Sequence, residues 1–283
     1  MPSPPDPPPT DEARRIDQLR REVEVLTKRL AESDKERVEY LQNVAHQIVA
    51  PLNAMKWHIE NLTSARLGVE RAKKVLRSIY SQATLAVHLA KNFALMSNLE
   101  GDHALSAVRE PLEPVELKRL LINLADDFQP LGWDKSIQIS VDDRSFVGVP
   151  DILAIKSLVS QVFSNVIENA VKYSDGDTEI VIRGEHSSAT DMASVLVSNT
   201  GIGIAPGDEQ RVFERSFRSD AAKNKYPAGT GFGLYIAKRI VEIHEGTIRA
   251  FTDGSKRRTV FEISLPVQKL KGKTREWPKK ASS

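Results

Sequence analysis

Cysteine is absent from all 283 residues, which excludes disulfides and thiolate metal sites and makes a reducing, cytoplasmic setting the expectation. The sequence also lacks any run of about 18 apolar residues of the kind that crosses a bilayer. It opens on MPSPPDPPPT rather than on a basic stretch followed by an apolar one, so neither a membrane span nor a secretory signal is expected. An excess of charge of either sign is missing as well. The 40 Lys+Arg nearly balance 38 Asp+Glu, and the net +2 gives no global argument for binding nucleic acid or membrane. With 40% hydrophobic and 28% charged residues, the composition is that of an ordinary globular protein. Its length predicts two compact units plus connectors.

Residues 1–10 hold six prolines and read as a disordered or polyproline tail. From Ile16 a heptad appears in which Ile16, Leu19, Val23, Leu26 and Leu30 recur in steps of three and four, as in a short parallel coiled coil or a solvent-exposed amphipathic helix over 11–37. The stripe fades at Ser33 and Arg37. A second stripe, Val38, Leu41, Ala45, Ile48, Leu52, Met55, Ile59 and Leu62, starts after a stutter that locally unwinds a supercoil. A third runs from Ala72 through Val75, Ile79, Gln82, Ala86, Leu89 and Phe93 to Met96, beyond a loop around residues 64–68. The extra apolar positions Ala54, Leu76, Ala83 and Ala90 widen both faces beyond what one partner helix covers. The prediction over 38–98 is a helical hairpin that dimerises into a four-helix bundle.

Residues 99–112 read as a linker closed by prolines. Beyond it, helical periodicity at 115–128, 151–173 and 233–244 alternates with strand-like runs at 137–141, 179–183, 194–198, 247–251 and 259–265. The expected fold class is therefore α+β: a helical hairpin followed by a two-layer α/β sandwich over 113–267. The segment 268–283 is basic and reads as solvated.

Three segments in the second part carry chemistry. In Asn165-Val-Ile-Glu-Asn169-Ala-Val-Lys172-Tyr173, the two asparagines are four apart and share a helix face. Amide oxygens suit Mg²⁺ and an ammonium suits phosphate, although alone this pattern reads slightly better as a polar helix face. In Val-Ser-Asn199-Thr-Gly201-Ile-Gly203-Ile, a strand runs into a glycine turn that allows close approach to a flat ligand. In Gly229-Thr230-Gly231-Phe-Gly233-Leu234, glycines open a helix whose free N–H groups and positive dipole end favour phosphates. No acidic residue follows in a βαβ unit at the spacing of a dinucleotide fold, so that reading fails.

In this order the segments resemble the asparagine box and two glycine boxes (N, G1 and G2) of sensor histidine kinases. Phe213-Glu-Arg-Ser-Phe217-Arg218 resembles the F box that begins the ATP lid, and His46-Gln-Ile-Val-Ala-Pro51-Leu52 resembles the H box. The likeness covers roughly residues 35–267. It implies the ATP-binding sandwich shared with gyrase, Hsp90 and MutL, and a homodimeric two-component kinase. ATP and Mg²⁺ are the implied cofactors, and a response-regulator receiver domain is the implied partner. Asn169 would hold the metal, with Asn165 beside it, while Lys172 and the amides at 229–233 would hold phosphates. Tyr173 and Asn199 would lie near the nucleoside, and Arg218 would steady the γ-phosphate.

The residue-level reading of His46 agrees, because it follows Ala45 about 100° round a helix from the seam, on the flank of the bundle. Pro51 removes one helical hydrogen bond and is expected to kink the helix just after His46. The other histidines, His58, His88, His103, His186 and His244, read as satisfied surface residues. None of them forms an i, i+4 pair, which disfavours zinc.

The sequence departs from the family pattern at three places. Gln47 stands where an acidic residue usually follows the phosphoacceptor. It can orient the imidazole but not act as a base, and general-base help is worth ~10²–10⁴ in rate. Ala50 stands where Thr or Asn would place a water, so phosphatase action by that route is expected to be weak. Asn199 replaces the usual Asp of the first glycine box; its amide oxygen still accepts from an adenine amino group, but without charge. These departures leave a competing non-enzymatic reading, a dimeric signalling scaffold or pseudokinase, which the presence of His46, Asn169 and the glycine loop opposes.

Overall fold

The computed structural model describes residues 11–64, 68–99, 110–227, 229–253 and 258–267. The expected Pro-rich tail, most of the linker, His103, positions 65–67 of the inter-helix loop and the basic 268–283 segment lie outside the described residues. The chain divides into two compact units, Met1–His46 and Gln47–Ser283.

In the first unit, helix α1 (Asp11–Ser64) carries the heptad. Leu19, Val23, Leu26 and Leu30 are each 53–64% exposed, so in a single chain this seam is bare. The second unit takes over α1 at Gln47, and the helix continues through a buried Pro51. Val49, Leu52 and Ile59 stay exposed there.

Helix α2 (Val69–Leu99) behaves differently along its length. Leu76 is exposed, whereas Ala86, Leu89 and Met96 are buried. Its second half packs on three helices of the α/β part, α3 (Leu117–Gly132), α4 (Lys156–Tyr173) and α6 (Gly233–Ile243). The sequence alone assigned this stripe to partner helices. In the single chain the α/β part covers its second half.

The α/β part holds a five-stranded sheet built from β2 (Gln138–Val141), β4 (Glu179–Ser187), β5 (Met192–Thr200), β6 (Thr247–Asp253) and β7 (Arg258–Pro266). The strand order is β2-β4-β5-β7-β6, with β2 parallel to β4 and every other pair antiparallel. Along β7 the residues alternate half-buried and buried as far as Ile263, the period-2 signature of a sheet covered on one face. On that face Ile180, Ile182, Val197 and Ile263 meet Val159, Phe163, Val166 and Ile167 of α4 and Ile236 and Ile240 of α6, all fully buried or nearly so. Each such side chain contributes ~1.5–3 kcal/mol by leaving water.

Two short strands depart from the sequence reading. β1 (Glu113–Val115) pairs antiparallel with β3 (Ile152–Ala154), so the helix expected over 151–173 begins only at Lys156. Three residues cannot display a period of two, which is why this ribbon was invisible in the sequence. A further short helix, α5 (Asp220–Lys225), follows the F-box segment.

Candidate functional site

Helix α4 places Asn165, Glu168, Asn169 and Lys172 one turn apart on its inner side. β5 ends in Asn199 and passes into Gly201 and Gly203. The loop before α6 supplies Gly229, Thr230 and Gly231, with Gly233 as the first residue of that helix. These three segments wall one cleft of about 1020 Å³, its open mouth included, lined by Asn169, Lys172, Tyr173, Asn199 and Gly203. Arg218, Thr230 and Leu234 also line it, together with Gly229, Gly231 and Gly233.

Asn165 and Gly201 frame the cleft rather than line it. Asn165 is fully buried, and a Cβ on Gly233 would sit 3.1 Å from its Oδ1, so glycine lets α6 start against this amide. Gly201 bridges to Ser174, and a Cβ there would fall 2.0 Å from the Tyr173 carbonyl oxygen. Gly231 has φ +76°, in the left-handed region that favours glycine.

A polar relay anchors the adenine-side candidate. Asn199 Nδ2 donates to Ser174 Oγ at 3.1 Å, and Ser174 Oγ donates to the Ala170 carbonyl at 2.6 Å. With its nitrogen engaged, Asn199 keeps an amide oxygen for an exocyclic amino group. Thr259, opposite Asn199 on β7, and Phe261, opposite Val197, also line the cleft. Sequence reasoning missed both, because only strand register brings them there.

Electrostatically the site turns on Glu168. Its Oε1 lies 2.8 Å from Lys172 Nζ and its Oε2 lies 3.2 Å from Nε2 of His88 on α2. Burial opposes the carboxylate charge, but Lys172 and His88 outweigh it and hold Glu168 well below the usual carboxylate range. Burial likewise opposes the Lys172 ammonium, and Glu168 overturns that effect and raises the lysine. Lys172 Nζ also lies 4.9 Å from the Tyr226 ring centroid.

Arg218 is held by the backbone of α5 and of the segment between α5 and α6. It donates through Nη1 to the carbonyls of Pro227 at 2.9 Å and Gly229 at 2.8 Å, and through Nη2 to those of Ala222 at 3.1 Å and Tyr226. Lys225 pairs with Asp175 at 2.9 Å, tying α5 to the end of α4. The guanidinium that sequence reasoning aimed at a γ-phosphate is engaged here by these backbone carbonyls.

His46 sits on α1 with its side chain exposed, and Gln47 after it is half-buried. Two of the five histidines read as surface residues are in fact buried. His88 touches Glu168, and His244 Nε2 accepts from the Ile155 N–H at 3.2 Å while Nδ1 meets the Ile240 carbonyl at 2.8 Å. Their partners are 80 and 89 positions away in the chain, beyond any local pattern. Among the described residues no group of three or more His, Cys, Asp or Glu is arranged to hold a metal, and no helix is long and apolar enough to cross a membrane.

The donor set fits a magnesium nucleotide. It offers neutral amide oxygens, one ammonium, a glycine cradle at a helix start and a buried Asn165 Nδ2 without a hydrogen-bond partner. Residues 154–269 match the family model described as histidine kinase-, DNA gyrase B- and HSP90-like ATPase. The chain is 26% identical over 236 residues to the sensor-like histidine kinase SenX3 of Mycobacterium tuberculosis, covering 83% of this chain and 55% of that one. It is 30% identical over 248 residues to the heme sensor protein HssS of Staphylococcus aureus, covering 85% and 49%. In fold it is similar to full-length ShkA, solved in complex with AMPPNP, at TM-score 0.53 and 23% identity, covering 81% of this chain and 45% of that one. The chain spans about half the length of the two relatives it matches in sequence. The cleft is assembled from the same ordered segments that carry the likeness: residues 154–269 form a histidine kinase-, DNA gyrase B- and HSP90-like ATPase domain, and over most of its length the chain is similar to sensor histidine kinases.

Proposed function

We propose that the chain is the catalytic core of an ATP-dependent protein histidine kinase, in which His46 accepts the γ-phosphoryl group and passes it to an aspartate of a response regulator. The observation that carries this reading is the single cleft formed by the α4 asparagine face, the β5 glycine turn and the α6 glycine loop. Bound ATP·Mg²⁺ supplies the phosphoryl group and neutralises phosphate charge.

The chain's own residues do the rest. Asn169 presents a hard amide oxygen to the metal, joined by Asn165 where Asn92 leaves its oxygen free, and Mg²⁺ is characteristically held by few protein ligands plus substrate phosphates. The amides at 229–233 and Lys172 hold phosphate oxygens, the lysine with its charge shared by Glu168. Asn199, fixed by Ser174, accepts from the base, and Tyr173 borders the nucleoside. His46, exposed on α1, provides the nucleophilic nitrogen, and Gln47 orients the ring. The bare α1 stripe (Leu19, Val23, Leu26, Leu30) supports homodimerisation.

Labelling with γ-³²P ATP tests the proposal. Acid-labile, base-stable label should appear on the wild-type chain and vanish in His46→Ala, while Asn199→Ala should abolish nucleotide binding. Nucleotide binding without label under any Mg²⁺ condition would mean a scaffold rather than a kinase.

A further inference from the structure

Four polar side chains on α2 and α4 meet at the wall of the nucleotide cleft. Asn92 Nδ2 donates to Asn165 Oδ1 at 2.7 Å and lies 3.1 Å from His88 Nε2. Gln161 Nε2 donates to Asn92 Oδ1 at 2.9 Å and lies 3.0 Å from His88 Nδ1. His88, Asn92, Gln161 and Asn165 are all 9% exposed or less. The contact is extended at one end by Tyr80, whose Oη donates to Asp127 at 3.0 Å, and by Arg77 over the Trp133 ring at 4.8 Å.

The cluster acts on the site in a specific way. Leu89 and Asn92 line the same cleft as Asn169 and Lys172, so α2 forms part of its wall. The Asn165 carboxamide is gripped on its oxygen, while its buried nitrogen has no hydrogen-bond partner. A half-satisfied buried amide is costly, and such groups call for an explanation. The oxygen that Asn92 occupies is the atom a hard cation would take.

We propose that α2 is an internal competitor for the metal side of the nucleotide site. With α2 docked, Asn92 holds Asn165 Oδ1 and the magnesium nucleotide binds weakly; with α2 released, the oxygen is free and binding tightens. By linkage the reverse holds equally, so magnesium nucleotide drives α2 off the α/β part. Gln161, donating to Asn92 Oδ1, fixes the Asn92 carboxamide in the competing orientation. A helix that leaves the α/β part only when the site is loaded couples the state of the hairpin to nucleotide occupancy. The proposal rests on the kinase reading above, in which Asn165 serves the metal.

Titration of the full chain with AMPPNP, with and without Mg²⁺, tests it. Asn92→Ala is expected to tighten binding about five- to tenfold more in Mg²⁺ than in EDTA, the worth of one net hydrogen bond. Equal affinity of wild type and Asn92→Ala in Mg²⁺ overturns the competition while leaving the kinase reading intact. No nucleotide binding by either chain overturns both. A second arm uses the absence of cysteine. Tyr80→Cys with Asp127→Cys, bridged by a short bismaleimide, holds α2 docked, and the bridged chain should bind Mg²⁺·AMPPNP at least fivefold more weakly than the unbridged one. Undiminished affinity in the bridged chain overturns the proposal independently of how Asn92→Ala folds.

Discussion

Lys172 Nζ lies 2.8 Å from Glu168 Oε1, one turn away on α4, and the two side chains are 16% and 7% exposed. The pair gives α4 a charge balance that neither residue sustains alone. Burial penalises each ion, yet the glutamate is held low and the lysine is raised.

Glu168→Gln is therefore expected to cost ~3–5 kcal/mol at pH 7, because it leaves the Lys172 ammonium buried without its counter-ion. The sign of the pH dependence follows from the directions. A carboxylate held below its ordinary range contributes stability above its unfolded pKa and loses it as pH falls toward the folded value. A lysine held above its ordinary value contributes below about 10.4 and loses that stability as pH rises through the raised value. Urea unfolding of wild type and variant at pH 7 and pH 3.5 checks this. The gap should narrow in acid, and an unchanged gap would show that Glu168 is not the depressed carboxylate.

Arg218 yields a second expectation, because four lid carbonyls share one guanidinium. Arg218→Lys keeps the charge but replaces a planar fork of five donors with a point ammonium of three. If the fork organises the lid, trypsin should cut at Lys223 and Lys225 several-fold faster in the variant, and nucleotide affinity should fall about tenfold. If the charge alone matters, as a phosphate contact, the lysine variant should keep both the wild-type cleavage rate and most of the affinity.

The contrast between these two sites shows what the sequence disclosed. Asn165, Asn169 and Lys172 announced themselves because i, i+4 spacing on a helix is a local property. The glycine turns did so because only close approach and positive φ call for glycine at such density. The sheet of the α/β part was likewise legible from alternation. Glu168 sat in plain view within the same segment, but its partner His88 is 80 positions away and its meaning is tertiary. Thr259 enters the cleft only through its register with Asn199. The α2 stripe was read as one continuous seam. Its second half carries, beside the buried Leu89 and Met96, the polar His88 and Asn92 that meet α4. Hydrophobic periodicity reports that a face is buried, not what buries it.

Gly201 and Gly203 separate two reasons for glycine within one turn. At Gly201 a Cβ would lie 2.0 Å from the Tyr173 carbonyl oxygen and 2.9 Å from its carbon, both backbone atoms. Relief would break the Ser174–Gly201 bridge and the bond from Ile202 N to the Tyr173 carbonyl at 3.3 Å, which together hold the end of α4 to β5. At Gly203 a Cβ meets Thr252 Cγ2 at 3.5 Å, an ordinary contact, and the obstacle is instead the φ of +72°. Left-handed backbone costs an alanine ~1–2 kcal/mol. Gly203→Ala should therefore remain folded with about that loss in urea unfolding. Gly201→Ala should lose more than about 3 kcal/mol, the upper end of ordinary overpacking, because backbone cannot rotate aside. It should also release the Asn199–Ser174 relay and with it nucleotide binding. Equal losses for the two alanines would show that the Tyr173 carbonyl yields, and that the junction of α4 and β5 is softer than its hydrogen bonds indicate.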